Sequence, residues 1–138
     1  IAFIQYTSGS TTDPKGVMLS HNNIIDNLGL IARGFGFQRN EIGFSWLPPY
    51  HDMGLIGCIL NTIYSDLSLY LMSPVEFIRD PLLWIRMISQ CKVNISGGPN
   101  FAYEFCIKKI REEKFWEAIS PREIIFFHFG FLFMLDHV

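Results

Sequence analysis

Three clusters of glycine, proline and polar residues, at 7–16, 48–54 and 96–100, each follow a short apolar run. That order constrains the fold more than any other feature. Ile1–Tyr6 reads as a strand, and Val17–Leu19 as a second, short one. Ser20 then caps a helix to about Arg33, with Ile24, Ile25, Leu28 and Ile31 at helical spacing and Gly34 and Gly36 beyond it. Glu41–Leu47 reads as a strand, Leu55–Tyr64 as a helix, and Leu67–Met72 as a buried strand. Asp80-Pro81 opens a helix to about Gln90. Lys92–Ser96 is a strand stopped by Gly97-Gly98-Pro99, and Asn100 caps a helix to about Lys114. Strands alternating with helices predict an α/β fold with a mainly parallel sheet. In such sheets ligands collect beyond the carboxyl ends of the strands, so the three clusters are expected to line one crevice.

The first cluster is the richest in chemistry. Within residues 7–16 it holds five hydroxyl side chains (Thr7, Ser8, Ser10, Thr11, Thr12), Gly9, Gly16 and Lys15. Glycine lets backbone N–H groups approach phosphate oxygens. Hydroxyls add donors, and Lys15 adds a point charge. Pro14 fixes the turn that presents Lys15. A polyphosphate suits such a loop better than a neutral ligand does. It is not a Walker A motif, because Pro14 replaces the second glycine and Gly16 replaces the Ser/Thr after the lysine. In the second cluster, His51 can donate to a phosphate or carboxylate oxygen, and Gly54 permits close approach. By itself His51-Asp52 is weak evidence, since a loop histidine is more often structural or merely exposed; its position beyond a strand, after Lys15, strengthens it. In the third, Gly97-Gly98-Pro99 is a tight turn flanked by the aromatic rings of Phe101 and Tyr103, a pattern that a plain strand-to-helix connection also produces.

Composition narrows the classes. A net charge of −2 and a pI near 6.1 leave no electrostatic footprint for nucleic acid or an anionic membrane. Cys58, Cys91 and Cys106 are odd in number and lack zinc-ligand spacing, so they read as reduced, buried thiols of a cytoplasmic protein, and no metal site is expected. No internal repeat and no Gly-x-Ser-x-Gly elbow occurs, which disfavours an α/β-hydrolase. The apolar run Ile124–Leu135 is too short for an integral membrane span.

The string from Thr7 to Val17 resembles the phosphate-binding signature of the adenylate-forming enzymes, roughly T-S-G-S-T-G-x-P-K-G-V, with Thr12 where glycine is commonest. Trp46-Leu-Pro-Pro-Tyr-His-Asp-Met-Gly-Leu-Ile-Gly57 is similar to their second signature, in the narrower form of the fatty-acyl-AMP ligases. Ser73-Pro-Val-Glu-Phe, Pro81-Leu-Leu-Trp84 and Ser96-Gly-Gly-Pro-Asn-Phe-Ala-Tyr103 also match that group in order and spacing. The resemblance implies part of a large N-terminal adenylation domain over residues 1–114. It implies ATP as a substrate, Mg²⁺ as a helper, a fatty acid as the acid, and an acyl carrier protein phosphopantetheine as acceptor. Coenzyme A as the acceptor is the rival within enzymes. Carried over residue by residue, Thr7, Ser8, Gly9, Ser10, Thr11, Thr12, Lys15 and Gly16 would hold the phosphates of ATP. His51 and Lys15 would act in catalysis. His51, Asp52, Met53, Gly54, Gly97, Gly98, Pro99, Asn100 and Phe101 would line the acyl and adenylate pocket.

After Lys114 the resemblance stops. In place of the Gly-Ala-Glu-Pro-like turn of that family, residues 115–138 are Phe-rich, with five phenylalanines in positions 126–133. An out-of-frame or truncated reading frame is the expectation for this tail, with a membrane-seeking peptide as the alternative. The start at Ile1, inside a strand, reads as that of a fragment. Residues that the family uses for adenine, ribose and magnesium, and its catalytic C-terminal lysine, find no counterpart, so the expected activity of these 138 residues alone is none, and a non-catalytic remnant is the rival from another class.

Overall fold

A computed structural model describes residues 1–6 and 14–113, with side chains of Glu112 and Glu113 left aside. Two sheets form. Strands β1 (Phe3–Tyr6) and β2 (Gly16–Leu19) pair antiparallel, from Phe3 opposite Leu19 to Tyr6 opposite Gly16. Strands β3 (Ile42–Ser45), β4 (Ser68–Leu71) and β5 (Ile95–Ser96) make a parallel sheet in the order β4-β3-β5. The fold class is α/β, as the alternation predicts. The first two strands form an antiparallel hairpin apart from the parallel sheet: nine residues separate them, which suffices for a hairpin loop and is too short for a parallel crossover.

Local signals account for the helices. In α1 (His21–Phe35) the Ser20 side chain accepts from the Asn23 amide, and Gly36 ends the helix in the left-handed conformation at φ 66°. Helix α3 (Pro74–Arg79) is absent from the sequence reading, although Ser73 and Glu76 form a capping box around it. Six residues carry too little periodicity to declare a helix. Asp80 closes α3 and caps α4 (Pro81–Gln90) through the Leu82 amide, while also pairing with Arg86. Helix α5 (Asn100–Glu113) begins at Asn100 itself, and the Ala102 amide donates to the Pro99 carbonyl, so Asn100 is the first helical residue and not the cap.

The expected helix 55–64 divides in two. Met53–Leu60 is π-helical and runs into α2 (Asn61–Ser65). Its wider turn starts where Gly54 packs on backbone: a Cβ there would lie 2.1 Å from the Pro48 carbonyl oxygen. Apolar periodicity does not distinguish a 3.6-residue turn from this wider one over eight residues. The expected strands 41–47 and 92–96 shorten to four and two residues. Asn94 replaces regular pairing at the edge of β5, its backbone N–H and side-chain oxygen both bonding Ile42.

The core sits on the parallel sheet beneath α3, α4 and α5. Phe44, Trp46, Phe77, Trp84, Ile88, Ala102 and Cys106 are all buried there. Trp46 stacks on Phe77 with centroids 3.9 Å apart, and Trp84 meets both rings edge-on. Such pairs add about 0.5–1.5 kcal/mol each beyond area burial. The Trp84 indole N–H donates to Ser96 Oγ at 2.8 Å, and that hydroxyl donates to the Phe44 carbonyl at 2.7 Å. Among the described residues, the Trp46 indole N–H is buried without a partner.

The two tryptophans make an internal comparison. Trp46→Phe and Trp84→Phe remove similar volume, but only the second removes a satisfied hydrogen bond. Trp84→Phe is expected to cost about 1 kcal/mol more in urea unfolding; equal losses would contradict the role of Ser96. Gly54→Ala drives a methyl into Pro48 and is expected to destabilise by about 1–3 kcal/mol, read as an earlier unfolding midpoint. Burial pushes the Cys106 thiol up to about 12, with the charge of Asp80 adding to the effect, and pushes the Cys58 thiol up as well. The unfolded chain loses these protons first, so stability is expected to hold below about pH 9 and fall as pH rises toward 12. A Cys106→Ala variant that kept the whole alkaline loss would contradict this.

Candidate functional site

Because β3 and β5 are parallel neighbours, the segments after them leave from the same edge of the sheet. Ser45 leads into Trp46-Leu47-Pro48 and on to His51, while Ser96 leads into Gly97-Gly98-Pro99. The second and third clusters are thereby brought together. Their contact is direct: a Cβ on Gly98 would lie 2.9 Å from Trp46 Cζ2 and 3.3 Å from Trp84 Cη2. Glycine is required at 98 because two indoles occupy the space where a side chain would stand.

Around this contact the aromatic wall continues. Phe101 lies edge-on to Trp46 at 6.2 Å and to Phe105 at 5.6 Å, and the residue is 45 % exposed. Tyr103 tilts against Trp84 at 5.6 Å, and its hydroxyl shares a hydrogen bond with the Gly98 backbone. Burial holds that phenol above its ordinary range, with the Gly98 bond opposing the rise. Tyr103 is thus a neutral anchor for the glycine turn at physiological pH.

His51 and Asp52 sit on the exposed lip, at the entry to the π-helical segment. The ring Nδ1 lies 2.6 Å from Asp52 Oδ1, with side-chain exposures of 60 % and 54 %. The backbone there is pinned: the His51 amide donates to Pro48 O at 3.1 Å, and the Leu55 amide to His51 O at 2.8 Å. Met53 packs partly buried against the core, and Gly54 is buried beneath the loop. Asn100 is exposed at the start of α5, and Pro99 is half-buried.

Lys15 and Gly16 belong to the other sheet. Lys15 is exposed next to the strand residue Gly16, whose absent side chain makes room for Ile4 Cγ2, 2.8 Å from where a Cβ would stand. Thr7, Ser8, Gly9, Ser10, Thr11 and Thr12 lie outside the described residues, as do residues 114–138. What the structure adds is the frame of that loop: the Tyr6–Gly16 pair ties its two ends together. The second and third clusters thus follow strands of the parallel sheet, while the first is carried by the antiparallel hairpin.

Two supporting residues escaped the sequence reading. Ser96 joins α4 to β3 through the bonds given above. Ser45, buried, accepts from the Leu47 amide at 3.1 Å and shapes the exit of β3. The available signal was a serine at the end of each apolar strand, directly before a turn. Among the described residues, no three of His, Cys, Asp or Glu come together to hold a metal ion, and no helix is long and apolar enough to cross a membrane. Magnesium, which the resemblance implies, thus finds no ligand cluster among those residues.

Residues 1–125 match the family model described as AMP-binding enzyme. The chain is 46 % identical over 112 residues to the medium-chain-fatty-acid–[acyl-carrier-protein] ligase TtuA of Teredinibacter turnerae, covering 81 % of this chain and 17 % of that protein. It is 39 % identical over 116 residues to the 4-hydroxyphenylalkanoate adenylyltransferase of Mycobacterium tuberculosis, covering 81 % and 19 %. Among solved structures, the fatty acyl-adenylate ligase of Legionella pneumophila, in complex with acyl adenylate and pyrophosphate, superposes with a TM-score of 0.79 at 54 % identity, over 89 % of this chain and 22 % of that one. The chain spans about a fifth of the length of these relatives. A shared family model, a shared α/β fold and the paired loops after β3 and β5 lead to one conclusion: the chain belongs to the AMP-binding, adenylate-forming enzyme family, and is most similar to its fatty-acyl-AMP ligases.

Proposed function

We propose that this chain is part of the N-terminal domain of an ATP-dependent ligase that joins a fatty acid to AMP with release of pyrophosphate, and then passes the acyl group to the phosphopantetheine thiol of an acyl carrier protein. Residues 1–114 form the adenylation segment, and 115–138 an atypical Phe-rich tail. The observation that carries the reading is the meeting of the His51 loop with the Gly97–Pro99 turn at one edge of a parallel sheet, in a chain similar to a ligase solved with acyl adenylate and pyrophosphate.

The chemistry asks for such an arrangement. A carboxylate attacks the α-phosphorus of ATP, and pyrophosphate leaves. Two anions must approach, so the site has to neutralise charge and hold both in line. Lys15, with the hydroxyls and backbone of residues 7–12, serves the phosphates. His51 serves the α-phosphate and the acyl carboxylate. Gly98 lets the Trp46 and Trp84 indoles close against the glycine turn, and Phe101 offers an apolar wall for the acyl chain. Cytoplasmic location fits the three free cysteines.

In the ligase that carries this segment, Lys15→Ala and His51→Ala are each expected to slow pyrophosphate release by about 10²-fold or more. Unchanged release would contradict the assignment. The 138-residue chain alone is expected to release none. Acyl transfer to a carrier protein, tested beside free coenzyme A, decides the acceptor; preference for coenzyme A would favour an acyl-CoA synthetase.

A further inference from the structure

We propose that Phe105 is a specificity-determining residue: it carries the apolar wall begun by Phe101 one turn further along α5, where only the longer fatty acids reach it. The proposal rests on the reading above, in which Phe101 walls the path of the acyl chain.

Helix α5 has two apolar faces with different surroundings. Ala102, Cys106 and Ile110, spaced four apart, are buried, and the first two belong to the aromatic core. That face is committed to folding. Phe101 and Phe105, also four apart, stand on another face and remain 45 % and 44 % exposed. Their rings meet edge-on at 5.6 Å, and Phe101 in turn meets Trp46 at 6.2 Å. Three rings thus run in series, from the end of β3 where the His51 loop departs to the second turn of α5. Isolated exposed apolar residues are ordinary, but these two touch each other and continue a buried aromatic cluster. An apolar ligand laid across both gains by taking their faces from water.

The neighbours of this strip decide what kind of ligand suits it. Glu104 lies beside Phe105, and the next residue on the same face, Lys108, is charged; both are exposed. A protein partner broad enough to cover the two rings would also have to bury those charges, which interface centres avoid. A single hydrocarbon chain is narrow enough to cover the rings and leave Glu104 and Lys108 in water. Four residues advance a helix by about 6 Å. An acyl chain whose carboxylate is held near His51 therefore passes Phe101 before it reaches Phe105. A short acid ends at the first ring, a longer one covers both, and beyond Phe105 the face turns charged. Phe105 touches carbons remote from the reacting carboxylate, so its contact is the same in the ground state and the transition state. Its loss raises KM and leaves kcat unchanged.

Pyrophosphate release by the ligase that carries this segment, measured with hexanoic and dodecanoic acids, is the test. In Phe105→Ala the KM for dodecanoic acid is expected to rise about tenfold with kcat kept, while the KM for hexanoic acid stays within about twofold of wild type. Phe105→Leu, which keeps an apolar side chain, is expected to restore most of the dodecanoic acid KM. Phe105→Gln carries the same expectations as the alanine variant and is read in its place where that variant does not fold. Equal changes for the two acids, no change for either, or a loss confined to kcat overturns the proposal. So does misfolding of both variants, because Phe105 would then serve the core. Wild-type ligase that releases pyrophosphate with neither acid overturns the fatty-acid reading itself, a result that needs no variant and is distinct from wild type and Phe105→Ala behaving alike.

Discussion

Ser96 Oγ holds the described structure in register. It accepts the Trp84 indole N–H and donates to the Phe44 carbonyl, so one hydroxyl ties α4, β5 and β3 together inside an apolar core. Hydrogen bonds of this kind gain little on net, about 1 kcal/mol, but leaving either partner unmet in such a place costs more. The strands around it are short. β5 has two residues, and its pairing with β3 depends on what surrounds it. The Ser96 bridge and the Asn94 contacts to Ile42 take the place of a longer ladder.

From that anchor the geometry of the site follows. Trp84, fixed by its indole N–H, presents an edge to Trp46 and Phe77, and Trp46 lies flat on Phe77. The tryptophans then fill the space over Gly98. Two loops that are some fifty residues apart in sequence are thereby locked face to face. The His51 lip is held from the other side, by Gly54 pressed on Pro48. A rigid floor under an exposed, polar lip is what a site needs when it has to orient two charged reactants before reaction.

The hairpin is held differently. Ile4, Tyr6, Val17 and Met18 are exposed on it, and its strands belong to a sheet of their own. Its contribution is to pin the ends of a nine-residue loop, Tyr6 against Gly16, and so to set the span across which Lys15 and the hydroxyl residues are displayed. Closing a loop in advance removes part of the ordering entropy that a flexible segment would pay on binding an anion. The fixed frame thus complements the permissive composition of the loop it carries.

Much of this was written in the sequence because it is local. Ser20 before an amphipathic run, Gly36 after it, and Asp80-Pro81 at a helix start are decided by neighbours within a turn or two, and each stands where the sequence places it. The alternation of strands and helices was enough for the α/β class, and the three motifs for the family. The hairpin, the six-residue α3 and the π-helical turn were not legible. The hairpin depends on pairing across a loop, α3 is shorter than its own periodicity, and the π-turn answers to a carbonyl six residues back from Gly54. Candidate residues could be named from motifs, but not their mutual positions. That Gly98 lies under Trp46, and that Tyr6 pairs with Gly16 to close the first loop, are outcomes of packing and strand pairing. The sequence by itself determined the chemistry on offer, since side-chain type and local spacing suffice for that. Only the tertiary structure decided which of those groups meet, because parallel pairing of β3 and β5 joins residues far apart in the chain.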